Sequence, residues 1–340
     1  MPTMRRRDAL AWLAAAALPV AAPAAQAADA SFSDETWLDS ARRRELPLRL
    51  RWPAGEAPCA LVIHSHGLGG SRAGAAVWGE AWQAAGLAVL HVQHPGSDSS
   101  VWQEGGLRGL NGLRHAASTS EYLERIADGH FLLDEIERRS RALGPWARVR
   151  MDAIGFSGHS FGARLTQALA GERAARGGRN EALQRAAEPR LRAFIAFSPG
   201  FADRSGTDDH AVAQRFGAIT RPFLAITGSD DDAMLVGDAS NAARRAVYRG
   251  LPAGRKAQLV LEGADHMTFG GGTGLPERPG RRGGLIRRGP HAVELEPRHQ
   301  RVVAAITSDW WRWRLLGDDA ARLRLLHPEG LTPADLWEQG

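Results

Sequence analysis

The chain is poor in two reactive residue types, cysteine and lysine. Its 340 residues include one cysteine, Cys59, and one lysine, Lys256. A single cysteine excludes an intramolecular disulfide, and with it a small disulfide-stabilised scaffold. Cys59 opens an apolar segment, so we expect its side chain to be buried. The net charge of +5 comes almost entirely from arginine, and no compact basic stripe with interleaved aromatic residues is present. We therefore expect no nucleic-acid partner.

Long hydrophobic runs are also scarce. The run from Ala9 to Ala22 is broken by a proline and is too short for a good transmembrane span. It follows the basic segment Arg5 to Arg7 and precedes Ala25-Gln26-Ala27, which offers the small residues of a signal-peptidase site. These features predict a signal peptide over residues 1–27, of the twin-arginine type, and a mature chain that starts near Ala28 in the periplasm or beyond. An amphipathic helix or a membrane anchor is the alternative, although we expect no stable membrane insertion.

The composition is that of an ordinary globular protein, with 44% hydrophobic and 24% charged residues. No internal repeat is present, so residues 28–340 are predicted to form one domain. The predicted strands are Leu46–Trp52 (antiparallel), Ala60–Ser65, Leu87–Val92, Val149–Phe156, Leu191–Phe197, Pro222–Thr227 and Gln258–Leu261. The predicted helices are Trp78–Ala85, Glu121–Leu143, one that starts at Ala163 and one from about Arg298 to Leu316. Apolar strands that alternate with helices predict an α/β fold, with a mostly parallel central sheet and helices on both faces.

A candidate nucleophile lies between a predicted strand and a predicted helix, in Gly158-His159-Ser160-Phe161-Gly162. A G-x-S-x-G sequence in this setting is the nucleophile elbow of α/β-hydrolases. The turn is so sharp that side chains two residues from the serine would collide with it, and glycine at both places avoids the collision. Ser160 is therefore the predicted nucleophile. The alternative is a glycine-rich turn that carries a solvated serine.

A serine nucleophile needs a base, and the base needs an orienting acid. In this fold both follow the serine along the chain, on loops at the carboxyl ends of later strands. The strand Gln258–Leu261 leads to His266, which is the predicted base. The strand Pro222–Thr227 leads to three adjacent aspartates, of which Asp231 is the preferred acid because it lies far enough beyond the strand to turn back. The alternative acids are Asp230 and Asp232, and more remotely Asp203, Asp208 and Asp209.

The negative oxygen of an acyl-transfer intermediate needs two backbone N–H groups. Phe161 follows the nucleophile at the start of a helix and supplies one of them in our prediction. The second is expected from the loop His66-Gly67-Leu68-Gly69-Gly70, through the N–H of Leu68. The alternative for this loop is a plain glycine-rich turn after a strand.

At these residues the chain resembles a known group of enzymes. The resemblance rests on four segments: SHGLGGSR (Ser65 to Arg72), QHPGSDSSVW (Gln93 to Trp102), GFSGHSFGA (Gly155 to Ala163) and GADHMTFGG (Gly263 to Gly271). They are similar to segments of the bacterial dienelactone-hydrolase-like α/β-hydrolases, of the platelet-activating-factor acetylhydrolases and of the secreted cutinase-like polyester hydrolases. The resemblance runs from about Leu46 to Leu326. It implies a Ser160–Asp231–His266 triad, with Leu68 and Phe161 as oxyanion donors. True dienelactone hydrolases use a cysteine nucleophile, so dienelactone itself is not the expected substrate.

Taken together, these features predict an exported serine hydrolase that cleaves small-molecule or polymeric carboxylic esters through an acyl-enzyme. We expect no metal and no organic cofactor. His64 and His66 are close in sequence, but no further cluster of ligand residues accompanies them, as a zinc site would need. An amidase or peptidase on the same fold, or a non-catalytic ligand-binding protein, is the alternative. The predicted rims of the substrate pocket are three irregular segments, Gly96 to Ala117 (with Trp102, Leu107, Leu110 and Leu113), Phe201 to Ala218 and Phe269 to Pro290. The oligomeric state does not follow from the sequence.

Overall fold

The computed structural model describes residues 32–102, 112, 115–173, 184–201, 208–232, 240–272 and 288–340. Within these ranges no helix is both long and apolar enough to cross a membrane. The predicted signal peptide lies outside them, as do Leu107, Leu110, Leu113 and Asp203, and residues 273–287 in the last predicted rim.

A central sheet organises the chain. Its strands are β1 (Ser33–Asp39), β2 (Arg44–Arg51), β3 (Cys59–Ser65), β4 (Ala88–Val92), β5 (Val149–His159), β6 (Leu191–Phe197), β7 (Phe223–Asp230), β8 (Lys256–Asp265) and β9 (Leu336–Gln339). Their order across the sheet is β1-β2-β4-β3-β5-β6-β7-β8-β9. The strands from β4 to β8 run parallel, while β1, β2 and β9 pair antiparallel with their neighbours. The carboxyl ends of the parallel strands therefore share one edge, where sites form in open α/β sheets.

Helices cover both faces of this sheet. They are α1 (Ala76–Ala84), α2 (Thr119–Ser140), α3 (Phe161–Ala170), α4 (Asp209–Phe216), α5 (Asn241–Gly250), α6 (Pro290–Leu316) and α7 (Asp319–Arg324). One core packs α2, α3, α4 and α5 against one face, and a second core packs α1, α6 and α7 against the other. Successive residues of β3 alternate between them, since Leu61 and Ile63 enter the first core and Ala60 and Val62 the second. The predicted architecture is confirmed.

Several element boundaries differ from the predicted ones. β8 is longer than predicted and leads straight to His266, and β5 continues to His159. α6 begins at Pro290, well before Arg298, with Pro297 inside it. The edge strands β1 and β9 and the helices α4, α5 and α7 were not predicted. Cys59 is buried at the start of β3, as expected.

Candidate active site

The predicted elbow joins β5 to α3. Ser160, between the last residue of β5 and the first of α3, has φ 56° and ψ −109°, a strained backbone for a residue with a side chain. A Cβ atom on Gly158 would lie 2.3 Å from the carbonyl carbon of Gly162, and one on Gly162 would lie 2.1 Å from the carbonyl oxygen of Ser65. Both overlaps are with backbone that cannot yield. Glycine is thus required at both positions for the turn to close against β3.

The structure brings together the three residues predicted to form a triad. Nε2 of His266 lies 2.9 Å from Oγ of Ser160, and Nδ1 of His266 lies 2.8 Å from Oδ1 of Asp231. When Nδ1–H donates to Asp231, Nε2 is left to accept the serine proton. Ser160 is partly exposed, whereas Asp231 is fully buried behind the imidazole. A ligand can therefore approach these three hydrogen-bonded residues from the side of Ser160.

Asp231 is fixed from several sides. Its Oδ2 accepts a hydrogen bond from Oγ1 of Thr227 at 2.9 Å, while Nε of Arg244 lies 2.9 Å from Oδ1. Burial alone would raise the pKa of Asp231, but the hydrogen bond with His266 and the charge of Arg244 outweigh it and hold the pKa at about 2. The two neighbouring aspartates are exposed, and Asp232 caps the start of α5 through the N–H of Asn241. Asp231 is thus the aspartate of the three that contacts His266.

Arg244 on α5 joins three of the loops at this edge. Its Nε donates to the carbonyl oxygen of Asp231 at 2.7 Å, and its Nη1 donates to the carbonyl oxygens of Ser198 and Pro199 at 2.8 and 3.0 Å. Its Nη2 lies 3.2 Å from Nδ1 of His266. With Nδ1–H directed at Asp231, that last approach is a close contact without a hydrogen bond, since both groups carry hydrogen. Arg244 therefore ties the acid to the end of β6 and packs beside the imidazole of His266.

His266 is held through its own backbone. It begins a 3₁₀ turn, His266–Gly270, that is capped by Asp265 and Thr268 in a reciprocal pair of hydrogen bonds. Nε2 of His159 lies 2.9 Å from the carbonyl oxygen of His266 and donates to it. Burial lowers the pKa of His159 to about 3, so this ring stays neutral at physiological pH. His159, the residue before the nucleophile, thus supports His266, the predicted base.

The predicted oxyanion loop passes beside the serine. A Cβ atom on Gly67 would lie 3.4 Å from Cβ of Ser160, so the loop reaches the nucleophile closely. The carbonyl oxygen of Gly67 faces away into a turn, where it accepts from Gly70 N–H at 3.1 Å and lies 2.6 Å from Nδ1 of His66. The peptide unit is planar and trans, so the next N–H, that of Leu68, points the opposite way. The N–H of Phe161, in the first turn of α3, has no intrahelical partner.

A second Ser–His–Asp series lies beneath this loop. Nε2 of His94 is 2.9 Å from Oγ of Ser65, and Nδ1 of His94 is 2.8 Å from Oδ2 of Asp128. None of the three side chains has exposed surface. Arg42 and Arg44 bind the same carboxylate from outside. The series repeats the residue types and contacts of the first, but Ser65 is fully buried and out of reach of a substrate, so we assign it a structural role.

The site edge carries a concentration of buried histidines, and burial lowers the pKa of each. The pKa of His91 and of His159 falls to about 3, that of His94 to about 4, and those of His64 and His66 fall well below the ordinary value. In the unfolded chain they titrate near ~6.5. Between that pH and about 4 the unfolded chain binds protons that the folded protein does not. The free energy of unfolding is therefore expected to fall as the pH drops from about 6.5 to about 4.

Urea unfolding at pH 7.5, 6.0 and 4.5 measures this loss. His91→Leu removes one buried imidazole, which burial keeps neutral at neutral pH. It should make the pH dependence shallower, by at most about 1.4 kcal/mol per pH unit. The exposed His327, changed to Leu, is the matched control and should leave the slope unchanged. A free energy of unfolding that stays flat from pH 7.5 to 4.5 would contradict the argument.

Several residues that shape the site gave no signal in the sequence. Arg244, Thr227 and His159 contact the candidate triad, and Arg125 on α2 contacts the oxyanion loop. A buried arginine on a helix looks, in sequence, like the arginines of any solvated face. A hydrophobic pattern in α2 was predicted, and Ile126, the next residue after Arg125, is buried as expected.

Comparisons with known proteins bear on the fold. No protein-family model and no curated protein matches the chain. Among solved structures, a 2,6-dihydroxy-pseudo-oxynicotine hydrolase superposes with a TM-score of 0.52 at 15% identity, over 85% of this chain and 69% of that one. An alpha-beta serine hydrolase homologue from Coxiella burnetii gives a TM-score of 0.46 at 15% identity, over 79% of this chain and 96% of the other. The sheet order, the strand–elbow–helix turn and the first of these superpositions show that the chain has the α/β-hydrolase fold.

Proposed function

We propose that the protein is a serine hydrolase that cleaves carboxylic esters. The observation that carries the proposal is the hydrogen-bonded series Ser160–His266–Asp231 on a strained elbow, with the loop of Leu68 against the serine. Strain of this kind at a partly exposed serine is characteristic of a functional site. The fold alone does not carry the activity, because the α/β-hydrolase fold serves many chemistries.

The geometry supports a two-stage mechanism. Oγ of Ser160 attacks the ester carbonyl carbon while Nε2 of His266 takes its proton. The carbonyl oxygen becomes an oxyanion that the N–H groups of Leu68 and Phe161 stabilise. The C–O bond to the alcohol then breaks, and the imidazolium of His266 protonates the departing oxygen. Water attacks the acyl-enzyme by the same steps in reverse, which releases the acid and restores Ser160. Asp231 holds the tautomer of His266 and stabilises the imidazolium throughout.

The described part of one predicted rim supports an apolar wall near the oxyanion loop. The indole of Trp102 packs on Gly69, and its Nε1 donates to the carbonyl oxygen of Gly69 at 2.8 Å. A Cβ atom on Gly69 would lie 2.5 Å from that nitrogen, so the indole sits directly on the loop. We place Trp102 in the wall of the acyl pocket.

We also propose export after cleavage near Ala28, which N-terminal sequencing of the protein from its host would test.

Labelling with a fluorophosphonate probe tests the proposal directly. The probe modifies activated serines, so the folded protein should become labelled and lose activity together, and Ser160→Ala should not be labelled. Hydrolysis of p-nitrophenyl esters of increasing acyl length, measured beside the matched anilides, then separates ester from amide cleavage. Faster anilide than ester hydrolysis would favour the amidase alternative. Absence of labelling in the folded wild-type protein would favour the non-catalytic ligand-binding alternative.

A further inference from the structure

A fully buried arginine lies under the oxyanion loop. Arg125, on α2, has no exposed surface. Burial lowers its pKa to about 9, which leaves the guanidinium protonated at neutral pH. Its hydrogen bonds go to uncharged oxygens, and the charges of Asp128, Asp98 and Glu121 act on it without a direct ion pair among the described residues. A buried charge without a direct ion-pair partner is costly, and an apolar side chain of similar size would usually cost less. The position calls for a reason other than stability.

The hydrogen bonds of Arg125 hold the start of the oxyanion loop. Its Nη1 donates to the carbonyl oxygen of His66 at 2.7 Å. Its Nε donates to Oγ of Ser97 at 2.8 Å, and its Nη2 to the carbonyl oxygen of Ser97 at 3.2 Å. The N–H of Gly69 donates to that same carbonyl at 3.0 Å. Arg125 and the Ser97 carbonyl thus hold the loop on both sides of Leu68.

The imidazole of His66 continues this support to the peptide that carries the donor. Its Nε2 accepts from the N–H of His94 at 3.0 Å, which leaves the hydrogen on Nδ1. Nδ1–H then donates to the carbonyl oxygen of Gly67 at 2.6 Å. That bond fixes the plane of the Gly67–Leu68 peptide and hence the direction of the Leu68 N–H. Arg125 holds the His66 backbone from which this ring extends.

The same guanidinium also contacts the second oxyanion donor. The Cζ atom of Arg125 lies 4.5 Å from the centre of the Phe161 ring, a distance at which a cation is attracted to an aromatic face. Phe161 is buried and begins α3 immediately after the nucleophile. One side chain therefore packs against both segments that carry the predicted donor N–H groups, although these segments lie far apart in sequence.

The geometry points to Arg125 as a positioning residue of the oxyanion hole, which sets the N–H of Leu68 and the N–H of Phe161 at the spacing that the tetrahedral intermediate requires. This inference rests on the proposed serine hydrolase function. It goes beyond that function because Arg125 touches no reacting atom and acts through His66 and Phe161. Its loss should weaken binding of the oxyanion while binding of the uncharged ester is retained.

Arg125→Lys and Arg125→Met are the test variants. Lys keeps the charge and can donate one hydrogen bond to the His66 carbonyl, whereas Met keeps similar volume but no donor. Loss of one oxyanion donor typically costs on the order of 10²–10³-fold in kcat. We expect Arg125→Met to lower kcat about 10²-fold with KM changed less than about threefold, and Arg125→Lys to lose less. Arg51→Met is the control, since it removes an equally buried guanidinium that pairs with Glu80 elsewhere in the fold.

The affinity for a boronic acid separates a positioning role of Arg125 from a merely structural one. The boronic acid forms a tetrahedral anion on Ser160, so its affinity should fall in Arg125→Met by about the same factor as kcat, while KM for the ester stays nearly constant. If Met at this position does not fold, the milder Lys variant decides by the same comparison. A folded variant with kcat and boronate affinity within about twofold of wild type would overturn the inference. Fluorophosphonate labelling of wild type separates this failure from failure of the proposed function, which predicts labelling whatever the role of Arg125.

Discussion

Ser160→Ala is expected to reduce ester hydrolysis by on the order of 10⁴–10⁶-fold. The change removes the oxygen that attacks the carbonyl and leaves His266 without a proton to take. The fold should survive, because Ser160 is partly exposed and its backbone N–H still donates to the carbonyl oxygen of Phe197 at 2.9 Å. Initial rates with a p-nitrophenyl ester, together with a thermal unfolding curve, measure both parts of this result.

Ser140→Ala is the matched control for that experiment. Ser140 ends α2, where its hydroxyl donates to the carbonyl oxygen of Glu137, and its loss should leave the rate unchanged. A folded Ser160→Ala protein that kept a tenth of the wild-type rate would remove Ser160 from the mechanism.

Asp231→Asn should cost on the order of 10⁴-fold in kcat, with little change in KM. The carboxylate, held ionised by a pKa of about 2, accepts Nδ1–H of His266 and leaves Nε2 free to act as the base. An amide can instead donate to Nδ1, which moves the imidazole proton to Nε2 and blocks proton transfer from Ser160. Steady-state kinetics of the purified variant, at a pH near 7.5, measure the effect.

The neighbouring aspartates offer closely matched controls. Asp230→Asn and Asp232→Asn make the same chemical change one residue away on exposed side chains, and both should keep kcat within a few-fold of wild type. A larger loss at either of them than at Asp231 would transfer the role of the acid to that residue. The rest of the proposed mechanism would be unaffected by such a transfer.

The sequence predicts the central part of this fold well because its strands are buried on both faces. β3, β4 and β6 are mostly apolar, which is the pattern that a covered parallel sheet favours. The edge strands β1 and β9 lack that signal, since an edge strand needs apolar residues on one face at most. β1 reads SDETWLD, which resembles a solvated segment until β2 is placed beside it.

The candidate site was likewise predictable from the sequence only in part. Ser160 and His266 were predictable because each follows a predicted strand by a few residues, and the parallel order of those strands brings both to one edge. Arg125 and Arg244 were not, because the oxygens they bind come from loops distant in sequence. Local patterns report which face of a helix is apolar. They do not report which polar side chain will be buried when that helix meets loops from elsewhere.

Lys256, the lone lysine, carries the single side-chain amine of the described surface. Lys256 begins β8, and His266 follows directly after the end of that strand. At ~3.3 Å per residue, about 30 Å separates the ammonium end of the strand from the imidazole. Burial lowers the pKa of Lys256, which increases the share of free amine available to acylating reagents. Attachment to an amine-reactive support through this side chain would leave the edge that carries Ser160 facing the solution.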